Sequence, residues 1–491
     1  MINKKKATTL LKAFKNNLEN HPEKKFLFDE KQSFSFEKTY SLISSLSFQM
    51  TLNGISNDSS ILILSERTVD YVLIFLATNF LGALSLIMDS RNDPDELIKQ
   101  QDGLDKKVRF IVYSKDGHWY LKDRFKYKES ELIFSYSKFY SYKERNGNKP
   151  SFVIFTSGTT GIPKGVVLSE HSIIKNTYAT KVFGHYRKSD VSMVLIPFTH
   201  IFGIAQLIYA ISLQHSVFVP LSLDIKDLLA DIETYHVSRM NGVPSLYLAL
   251  ADEAKKEKRN LSSLNTGFIG GGPSTEQQVI AIEESLPIIL IPVYGMSECL
   301  TITCTSFLDP TNKRQGTVGK AYKGAPVKII DDNQNFAKPG VKGEIIVSSP
   351  YSALGYLDNK TVLKDEKGYI HTGDLGSLDE EGYLHIEGRK KDIIIRNGNN
   401  ISSAKIEIAL ASLPFVKEAA VIAKPDSKEG EVPLAFVSLK NGKTADEVLP
   451  FIIGKLQKNE LPKKIIALDF IPKTSSGKTD KIKLKKEYEN Q

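Results

Sequence analysis

The apolar residues of the first 150 positions follow two alternating spacings. One helical pattern places Leu10, Phe14 and Leu18 on a single face. Short apolar runs such as Ile61–Leu64 and Phe110–Tyr113 recur between the helical patterns. Runs of this length predict buried strands, and their alternation with helices predicts α/β layers around a largely parallel sheet. We therefore expect an α/β fold for the large N-terminal part of the chain.

The longest apolar stretch, residues 71–88, raises the question of a membrane span. It contains Thr78, Asn79 and Ser85, which favour a buried helix that runs into a strand at Ala83–Met88. The basic start of the chain is followed by an amphipathic pattern without the hydrophobic core of a signal peptide. We therefore expect no membrane span, and the cytoplasm is the default location.

Length and composition predict a multidomain protein with anionic ligands. The chain has 491 residues, of which 41% are hydrophobic, and this is enough for at least two domains. Its net charge of +8 is modest for this length and favours anionic ligands in general over a dedicated nucleic-acid partner. The two cysteines, Cys299 and Cys304, fit a reducing compartment.

Aromatic and basic residues interleave over residues 120–149. Such a pattern can stack on a nucleic acid and neutralise its charge. Strands of a solvated sheet with snorkelling lysines explain the pattern more simply. No nucleic-acid partner is therefore expected.

A loop rich in glycine and hydroxyl residues follows the apolar run Phe152–Phe155. Its candidate binding residues are Thr156, Ser157, Gly158, Thr159, Thr160 and Lys164. Hydroxyl donors and bare backbone N–H groups can converge there on one anion, and the lysine adds a positive charge. The G-x-x-x-x-G-K-[ST] spacing of a Walker A loop is absent. The composition therefore predicts a phosphate-binding loop of another kind.

The loop closely resembles the phosphate loop of the AMP-forming acyl- and aryl-CoA synthetases, the adenylate-forming superfamily. Further motifs that match this family follow in the expected order at residues 294–298, 369–376, 388–392 and 472–478. The resemblance covers nearly the whole chain, although residues 90–150 are largely unmatched. It implies a protein of two domains that bind and activate a carboxylic acid.

The implied large domain, residues 1–390, combines α/β sheets with a small β-rich subdomain and holds the ATP and acyl sites. The implied small domain, residues 391–491, is a mobile α+β domain, and Lys391 matches the family's hinge position. The glycine-rich turn of the large domain is implied to border both adenine and the acyl group; its residues are Gly270, Gly271 and Gly272.

Five motif positions are implied to contact the nucleotide or its metal ion. Tyr294 would stack on adenine beside Gly295, and Glu298 would hold Mg²⁺. Asp374 would accept hydrogen bonds from both ribose hydroxyls, and Arg389 would contact ribose or phosphate. The resemblance therefore implies ATP and Mg²⁺ as ligands.

Three further residues are implied to act on the acid or the thiol. The hydroxyl of Ser297 would reach the α-phosphate or the carboxylate. Lys478 would span the carboxylate and the α-phosphate during adenylation. His200 would separate the carboxylate pocket from the pantetheine tunnel, and its neighbours, residues 201–204, are uncharged. Relatives that activate amino acids carry an Asp nearby, so an amino-acid substrate is not expected.

One motif departs from the family pattern. Residues 401–407 read Ile-Ser-Ser-Ala-Lys-Ile-Glu, whereas the family has P-x-E-I-E over the last five of these positions. Ser403 replaces the proline, and Lys405 reverses the charge of the first glutamate. We expect this departure to affect how the rotated small domain packs.

The expected reaction is ATP-dependent activation of a fatty or aromatic carboxylic acid to acyl-AMP, followed by thioester formation with CoA. The products are AMP and pyrophosphate. An alternative is a stand-alone ligase that loads the phosphopantetheine of an acyl carrier protein. Residues 391–491 carry 18 Lys and Arg against 13 Asp and Glu, which suits an acidic carrier.

A third alternative is a nucleotide-binding protein that has lost catalysis. The joint presence of Glu298, Asp374, Arg389 and Lys478 argues against it. Neither the individual acid nor the oligomeric state follows from the sequence.

Overall fold

The computed structural model describes residues 9–100, 104–136, 140–143, 146–156, 163–358, 360–440, 442–474 and 479–488. The helices are α1 (Leu10–Asn20), α2 (Phe36–Leu52), α3 (Val69–Leu81), α4 (Pro94–Gln100), α5 (Leu104–Lys107), α6 (Glu170–Thr180), α7 (Ile201–Leu213), α8 (Ile225–Tyr235), α9 (Pro244–Ala254), α10 (Glu276–Ser285), α11 (Thr311–Gly316), α12 (Ser403–Ala411), α13 (Leu449–Ile452) and α14 (Lys481–Tyr488). Short 3₁₀ helices lie at Lys390–Asp392 and Ala445–Glu447.

The strands before the small domain are β1 (Lys25–Phe28), β2 (Ser33–Ser35), β3 (Ser60–Ser65), β4 (Leu84–Asp89), β5 (Val108–Lys115), β6 (His118–Asp123), β7 (Lys128–Leu132), β8 (Pro150–Thr156), β9 (Lys164–Ser169), β10 (Val191–Met193), β11 (Ser216–Phe218), β12 (Arg239–Met240), β13 (Thr266–Ile269), β14 (Ile289–Met296), β15 (Leu300–Cys304), β16 (Lys320–Ala321), β17 (Val327–Ile330), β18 (Gly343–Val347), β19 (Gly355–Tyr356), β20 (Ile370–Leu378) and β21 (Leu384–Arg389). Those that follow are β22 (Ile393–Arg396), β23 (Asn399–Ser402), β24 (Val416–Asp426), β25 (Gly430–Leu439) and β26 (Lys464–Ala467).

Two large sheets form the N-terminal part of the protein. One has the order β19-β9-β8-β4-β3-β5-β6-β7, and its central strands β8, β4, β3 and β5 run parallel. The other has the order β16-β15-β14-β13-β12-β10-β11-β1-β2 and is parallel from β14 to β1. One continuous core joins residues of both sheets with α1, α2, α3, α6 and α7. The predicted α/β layers with a largely parallel sheet are confirmed.

The apolar stretch 71–88 forms a buried helix, α3, followed by the buried strand β4. The Thr68 side chain caps the start of α3 by accepting a hydrogen bond from the Tyr71 N–H, and Gly82 ends the helix at φ +88°. The prediction of a helix that runs into a strand is therefore confirmed. Within the described ranges, no helix is long and apolar enough to cross a membrane.

The segment rich in aromatic and basic residues adds two antiparallel strands, β6 and β7, to the edge of the first sheet. On β6, Trp119 and Leu121 are buried, whereas His118 and Lys122 are exposed. This alternation is what one solvated face of an antiparallel sheet requires. The interpretation as solvated strands is confirmed for this part of the segment.

The remaining two sheets lie further along the chain. An antiparallel sheet of β17, β18, β20 and β21 forms the predicted β-rich subdomain. The C-terminal part combines a sheet of β23, β22, β25, β24 and β26 with α12 and has its own core. The pattern of residues in this part also predicts a helix near Ala445–Leu456, and that prediction is wrong in extent, since only the 3₁₀ turn Ala445–Glu447 and α13 form. Pro450 fits only a first helical turn, and Gly454 has φ +92°.

The buried carboxyl group of Asp231 makes the stability of the large domain sensitive to pH. Burial, together with Glu30 and Asp227, raises the pKa of Asp231 to about 7. The Glu30 carboxyl oxygens accept hydrogen bonds from the Leu221 N–H at 2.8 and 3.0 Å. Asp231 is 9% exposed, so little water reaches its carboxyl group.

We predict that Asp231→Asn stabilises the protein above pH 7. Because the folded state binds this proton more tightly than the unfolded state, the unfolding free energy falls as pH rises from about 4 to about 7. Asparagine mimics the protonated carboxyl, so the variant should regain on the order of 1 kcal/mol at pH 8 and about a third of that at pH 5. Thermal midpoints across this range measure the effect, with Asp332→Asn at an exposed turn as the control. Parallel pH curves for the variant and the wild type would contradict the prediction.

Candidate active site

Sequence-predicted residues follow the carboxyl ends of parallel strands in both large sheets. In the first sheet, β4 ends at Asp89 and its neighbour β8 ends at Thr156, where the phosphate loop begins. In the second sheet, β13 leads into Gly270. Crevices at the carboxyl ends of parallel strands are where α/β proteins bind their ligands. The phosphate loop and the glycine-rich turn therefore each start at the edge of a sheet where such ligands bind.

The two ends of the phosphate loop are fixed by strand pairing. Thr156 and Lys164 are register partners at the open end of the β8–β9 hairpin, and the Thr156 hydroxyl donates to the Lys164 carbonyl at 3.3 Å. The Lys164 ammonium lies 5.7 Å from the centroid of the Tyr356 ring. The other predicted loop residues lie outside the described residues; they are Ser157, Gly158, Thr159 and Thr160.

Glu298 is a buried carboxylate held by a tyrosine hydroxyl. Its side chain is 8% exposed, and its Oε1 accepts a hydrogen bond from the Tyr356 hydroxyl at 2.9 Å. Burial, and then the Glu298 charge, raises the pKa of Tyr356, so this hydroxyl remains a donor. Mg²⁺ is commonly bound through one or two carboxylates together with water and phosphate oxygens. The donor set at Glu298 therefore fits this ion.

Asp374, Tyr294 and Arg389 meet in one hydrogen-bonded group, which we call the ribose corner. The Tyr294 hydroxyl donates to Asp374 Oδ2 at 2.7 Å, and Arg389 Nε lies 2.8 Å from Oδ1. Asp374 and Arg389 are register partners on β20 and β21. Burial, and then the Asp374 carboxylate, raises the pKa of Tyr294. A buried carboxylate that is oriented from two sides can accept hydrogen bonds from vicinal hydroxyl groups.

The glycine-rich turn allows the ends of β13 and β14 to approach closely. A Cβ on Gly270 would lie 2.8 Å from the Val293 carbonyl oxygen, and Gly271 has φ +79°. A Cβ on Gly295 would lie 2.3 Å from the Leu300 carbonyl oxygen. Gly272 continues the turn, next to the start of α9. Larger residues would separate the strand ends that carry Tyr294 and the turn.

His200 stands at the start of α7, after the carboxyl end of β10. It is half-buried and occupies the N-cap position of the helix. Arg91, and to a smaller extent His200, lowers the pKa of Asp89 at the end of β4. His200 therefore lies beside the carboxyl end of the first sheet. Ser297 is half-buried in the turn between β14 and β15, next to Glu298.

Family models match most of the chain. Residues 14–357 match the AMP-binding enzyme model, and residues 405–478 match the model of the AMP-binding enzyme C-terminal domain. The chain belongs to the AMP-binding enzyme family. The family resemblance seen in the sequence motifs is thereby confirmed.

Relatives in this family align with almost the full length of the chain. A 2-succinylbenzoate–CoA ligase of Bacillus cereus is 29% identical over 461 residues, which cover 93% of this chain and 94% of the relative. The O-succinylbenzoate coenzyme A synthetase of Bacillus subtilis, solved with ATP and magnesium ion, has a TM-score of 0.80 at 23% identity and covers 95% and 98% of the two chains. An anthranilate CoA ligase solved with anthranoyl-AMP has a TM-score of 0.85 at 21% identity, with 98% and 97% covered. These structures confirm the predicted fold class.

Two residues with buried polar partners were not identified as such from the sequence. The pair Gly355–Tyr356 fits the family series and was interpreted mainly as part of the β-rich subdomain. It forms β19 of the first large sheet instead, and the Tyr356 hydroxyl donates to Glu298. Arg239 is fully buried, donates to the Gly184 carbonyl at 2.9 Å, lies 3.3 Å from Asp190 and stacks 3.8 Å from the Tyr186 ring. No sequence signal marks Arg239 because its partners are distant in the chain.

The departure from the family's P-x-E-I-E motif is compensated within the small domain. Helix α12 begins at Ser403, where the family has proline, and the Ser402 hydroxyl caps it by accepting from the Lys405 N–H. The reversed charge of Lys405 is paired with Glu460 at 2.5 Å. Both replaced residues therefore have polar partners, since Ser403 accepts a hydrogen bond from the Lys481 ammonium, and a capped helix forms at this motif.

We predict that Asp374→Asn weakens AMP binding. The substitution removes the negative charge that accepts hydrogen bonds in the ribose corner. Hydrogen bonds to charged groups contribute about 1.5–3 kcal/mol, so the Kd for AMP should rise about 10- to 100-fold. Isothermal titration calorimetry measures the change. The matched control is Asp379→Asn, in the turn of the same β20–β21 hairpin, where Asp379 pairs with Lys313 at 2.6 Å. An unchanged Kd in the Asp374 variant would remove Asp374 from the nucleotide site.

Proposed function

We propose that this AMP-binding enzyme is an ATP-dependent acid–CoA ligase with an aromatic carboxylic acid as its substrate. The activity class predicted from the sequence is confirmed by relatives, named CoA ligases, that align with 93% of the chain. The observation that carries the assignment of the site is the ribose corner, where Asp374 is oriented by Tyr294 and Arg389. An aromatic acid is favoured over a fatty acid because the names of relatives and structural neighbours include succinylbenzoate and anthranilate.

The surroundings of the glycine-rich turn support an apolar aromatic substrate. A cluster of aromatic and aliphatic side chains lies beside Gly270 and Val293; its aromatic members are Phe183, Tyr186, Phe202, Tyr209 and Phe268. The charge of the nearby Arg239 is already matched by Asp190 and by the Gly184 carbonyl. Side chains of this kind can contact an aromatic ring through apolar and edge-to-face packing.

In the first half-reaction, a carboxylate oxygen of the acid attacks the α-phosphorus of ATP, and the bond to the leaving pyrophosphate breaks. Two anions must meet, so the protein acts mainly by aligning them and neutralising charge. Lys164 and the loop after Thr156 would hold the β- and γ-phosphates, and Lys478 would span the carboxylate and the α-phosphate. Glu298 would hold Mg²⁺, which supplies further neutralisation of phosphate charge when bound.

In the second half-reaction, a thiol attacks the acyl carbonyl carbon, and AMP leaves. We place the domain boundary between residues 390 and 391 and the pivot of the rotating small domain at Lys391, which lies in the exposed 3₁₀ turn Lys390–Asp392. His200 would gate the passage between acid and thiol, and Ser297 would contact the carboxylate or the α-phosphate. Lys478 lies outside the described residues, and its role rests on the sequence motif.

CoA is the proposed acceptor, because CoA ligases are the relatives that match the chain. An acyl carrier protein as acceptor stays a prediction based on the basic small domain.

We also retain the cytoplasm as the proposed location. Both cysteines are free and buried, which fits a reducing compartment.

We predict that the enzyme releases pyrophosphate from Mg·ATP with an aromatic acid and without a thiol. The assay compares benzoate derivatives, fatty acids of several lengths and amino acids. Adding CoA or an acyl carrier protein then identifies the acceptor by the thioester formed. Turnover with fatty acids alone would overturn the aromatic assignment, and bound ATP without pyrophosphate release from any acid would favour a protein that only binds nucleotide.

We predict that Lys478→Ala impairs adenylation far more than thioester formation. Removing a charge used only in the first transition state should slow acyl-AMP formation about 100-fold or more. The conversion of supplied acyl-AMP to acyl-CoA should change by less than about threefold, since the small domain has then rotated. Lys464→Ala, exposed on β26 of the same domain, is the control. Equal losses in both half-reactions would contradict the role given to Lys478.

A further inference from the structure

Strand β20 departs from its regular pairing with β18 at the position of Asp374. Three residues of β20, residues 372–374, lie opposite the single residue Ile345 of β18. We call residues 372–374 the β20 bulge. Its central residue, Gly373, has φ +69°, which favours glycine. Bulges redirect the side chains that they carry, so the conformation of the β20 bulge decides where the Asp374 carboxylate points.

Two side chains fasten the β20 bulge to β18. The Thr372 hydroxyl donates to the Ile345 carbonyl at 2.7 Å and accepts from the Asp374 N–H at 3.1 Å. Glu344 Oε1 accepts a hydrogen bond from the Gly373 N–H at 3.3 Å. A bulged residue loses its partner in the ladder, and here a side-chain carboxylate takes that place. The conformation of the bulge therefore depends on Glu344 as well as on Thr372.

Glu344 is a buried carboxylate with a basic partner. Its side chain is 10% exposed, and the Lys390 ammonium lies 3.2 Å from its Oε2. The His371 Nδ1 lies 3.5 Å from the other oxygen, Oε1. The lysine charge offsets part of the cost of burying the carboxylate. Because Glu344 stands on a strand that is paired with β17 and β20, this carboxylate reaches the Gly373 N–H from a fixed position.

The backbone of Asp374 is supported differently on its two sides. Strand β21 supports one side, where Asp374 and Arg389 are register partners. On the other side the ladder with β18 is interrupted, and the hydrogen bonds of Thr372 and Glu344 replace it. The contacts that Tyr294 and Arg389 make with the Asp374 carboxylate need this backbone to stay in place, because both reach the side chain alone.

We propose that Glu344 is a positioning residue of the nucleotide site, which holds the β20 bulge in the conformation that directs Asp374 at the ribose. This inference rests on the proposed contact of Asp374 with the ribose hydroxyls. Glu344 bonds to the backbone of the bulge, so it acts on the ligand through Asp374. A shift of the bulge would move the Asp374 oxygens away from the hydroxyls and leave contacts to the phosphate unchanged. Glu344 thus controls the affinity that the ribose hydroxyls contribute.

The alternative is that Glu344 only stabilises the β-rich subdomain. A structural role would lower the thermal midpoint and weaken the binding of every nucleotide alike. A positioning role would weaken the binding of AMP relative to 2′,3′-dideoxy-AMP, which lacks both ribose hydroxyls. The ratio of the two Kd values cancels losses that both ligands share, so it distinguishes the two roles.

The experiment measures the Kd values of AMP and 2′,3′-dideoxy-AMP by isothermal titration calorimetry in the full-length chain. The wild type should bind AMP about 10- to 100-fold more tightly, as expected for hydrogen bonds to a charged group. Glu344→Met removes the acceptor of the Gly373 N–H and should lower this ratio about fivefold or more, with a change of less than about twofold in the Kd for 2′,3′-dideoxy-AMP. Glu344→Gln keeps an oxygen that can accept from Gly373 and should restore most of the ratio.

Glu387→Met is the matched control, since it makes the same substitution on β21 of the same sheet. Glu387 pairs with the exposed Lys342 at 2.7 Å, so the ratio should stay within about twofold of the wild type. Glu344→Asp provides a second test if Glu344→Met does not fold. It keeps the charge but withdraws the carboxylate from the Gly373 N–H by about 1.5 Å, the length of one C–C bond. We expect it to lower the ratio about threefold or more.

Four results would overturn the inference: an unchanged ratio in Glu344→Met, an equal loss of affinity for both ligands, an equal fall of the ratio in Glu387→Met, or, where Glu344→Met does not fold, an unchanged ratio in Glu344→Asp. Failure of the proposed site gives a different pattern. In that case the wild type binds both ligands equally, or Asp374→Asn leaves the ratio unchanged, and the inference falls together with its basis. The proposed ligase activity is measured separately, through pyrophosphate release.

Discussion

The candidate site depends on keeping carboxylates charged while they are buried. An ionised carboxylate loses most of its hydration inside a protein, so it needs donors that the fold supplies. Glu298 has the hydroxyl of Tyr356, and Asp374 has Tyr294 and Arg389. In each case the donor comes from a different stretch of chain than the acceptor. The sheets, the β-rich subdomain and the turns can be understood as the framework that brings these pairs together.

The same principle applies to the small domain, where Lys481, Glu407 and Asp392 form an ionic cluster. The Lys481 ammonium lies 2.8 Å from Glu407 Oε1 and 3.5 Å from Asp392 Oδ2. Next to this cluster, Ser403 and Lys405 replace two residues of the family motif. The Ser403 hydroxyl accepts a hydrogen bond from Lys481, and Lys405 pairs with Glu460. A helix therefore forms at this motif although two family residues are replaced.

Much of the fold and the membership of the site could be predicted from the sequence, because both depend on local signals. Thr68 and Gly82 delimit α3, and the apolar run before Thr156 marks a buried strand that ends in the phosphate loop. Glu298, Asp374 and Arg389 were found because each lies in a short family motif. The partners Tyr356 and Arg239 were missed because only the tertiary structure brings them to their contacts. The helix predicted near Ala445–Leu456 is longer than the one that forms. An apolar spacing predicts a helix, but it does not show that Pro450 and Gly454 limit this helix to a single turn.

The close approach at Gly270 has a consequence for how enzymes built on this framework diversify. A single methyl group at that position would collide with the backbone of β14 at Val293, and no rotamer change can relieve a clash with a carbonyl oxygen. The strand end itself is therefore closed to mutation. Residue size can vary instead at the aromatic side chains packed beside it, such as Phe202, Tyr209 and Phe268, where a change of volume meets side chains and not a strand backbone. Under the proposed function, these are the positions at which the preference for the acid can change while Gly270 stays a glycine.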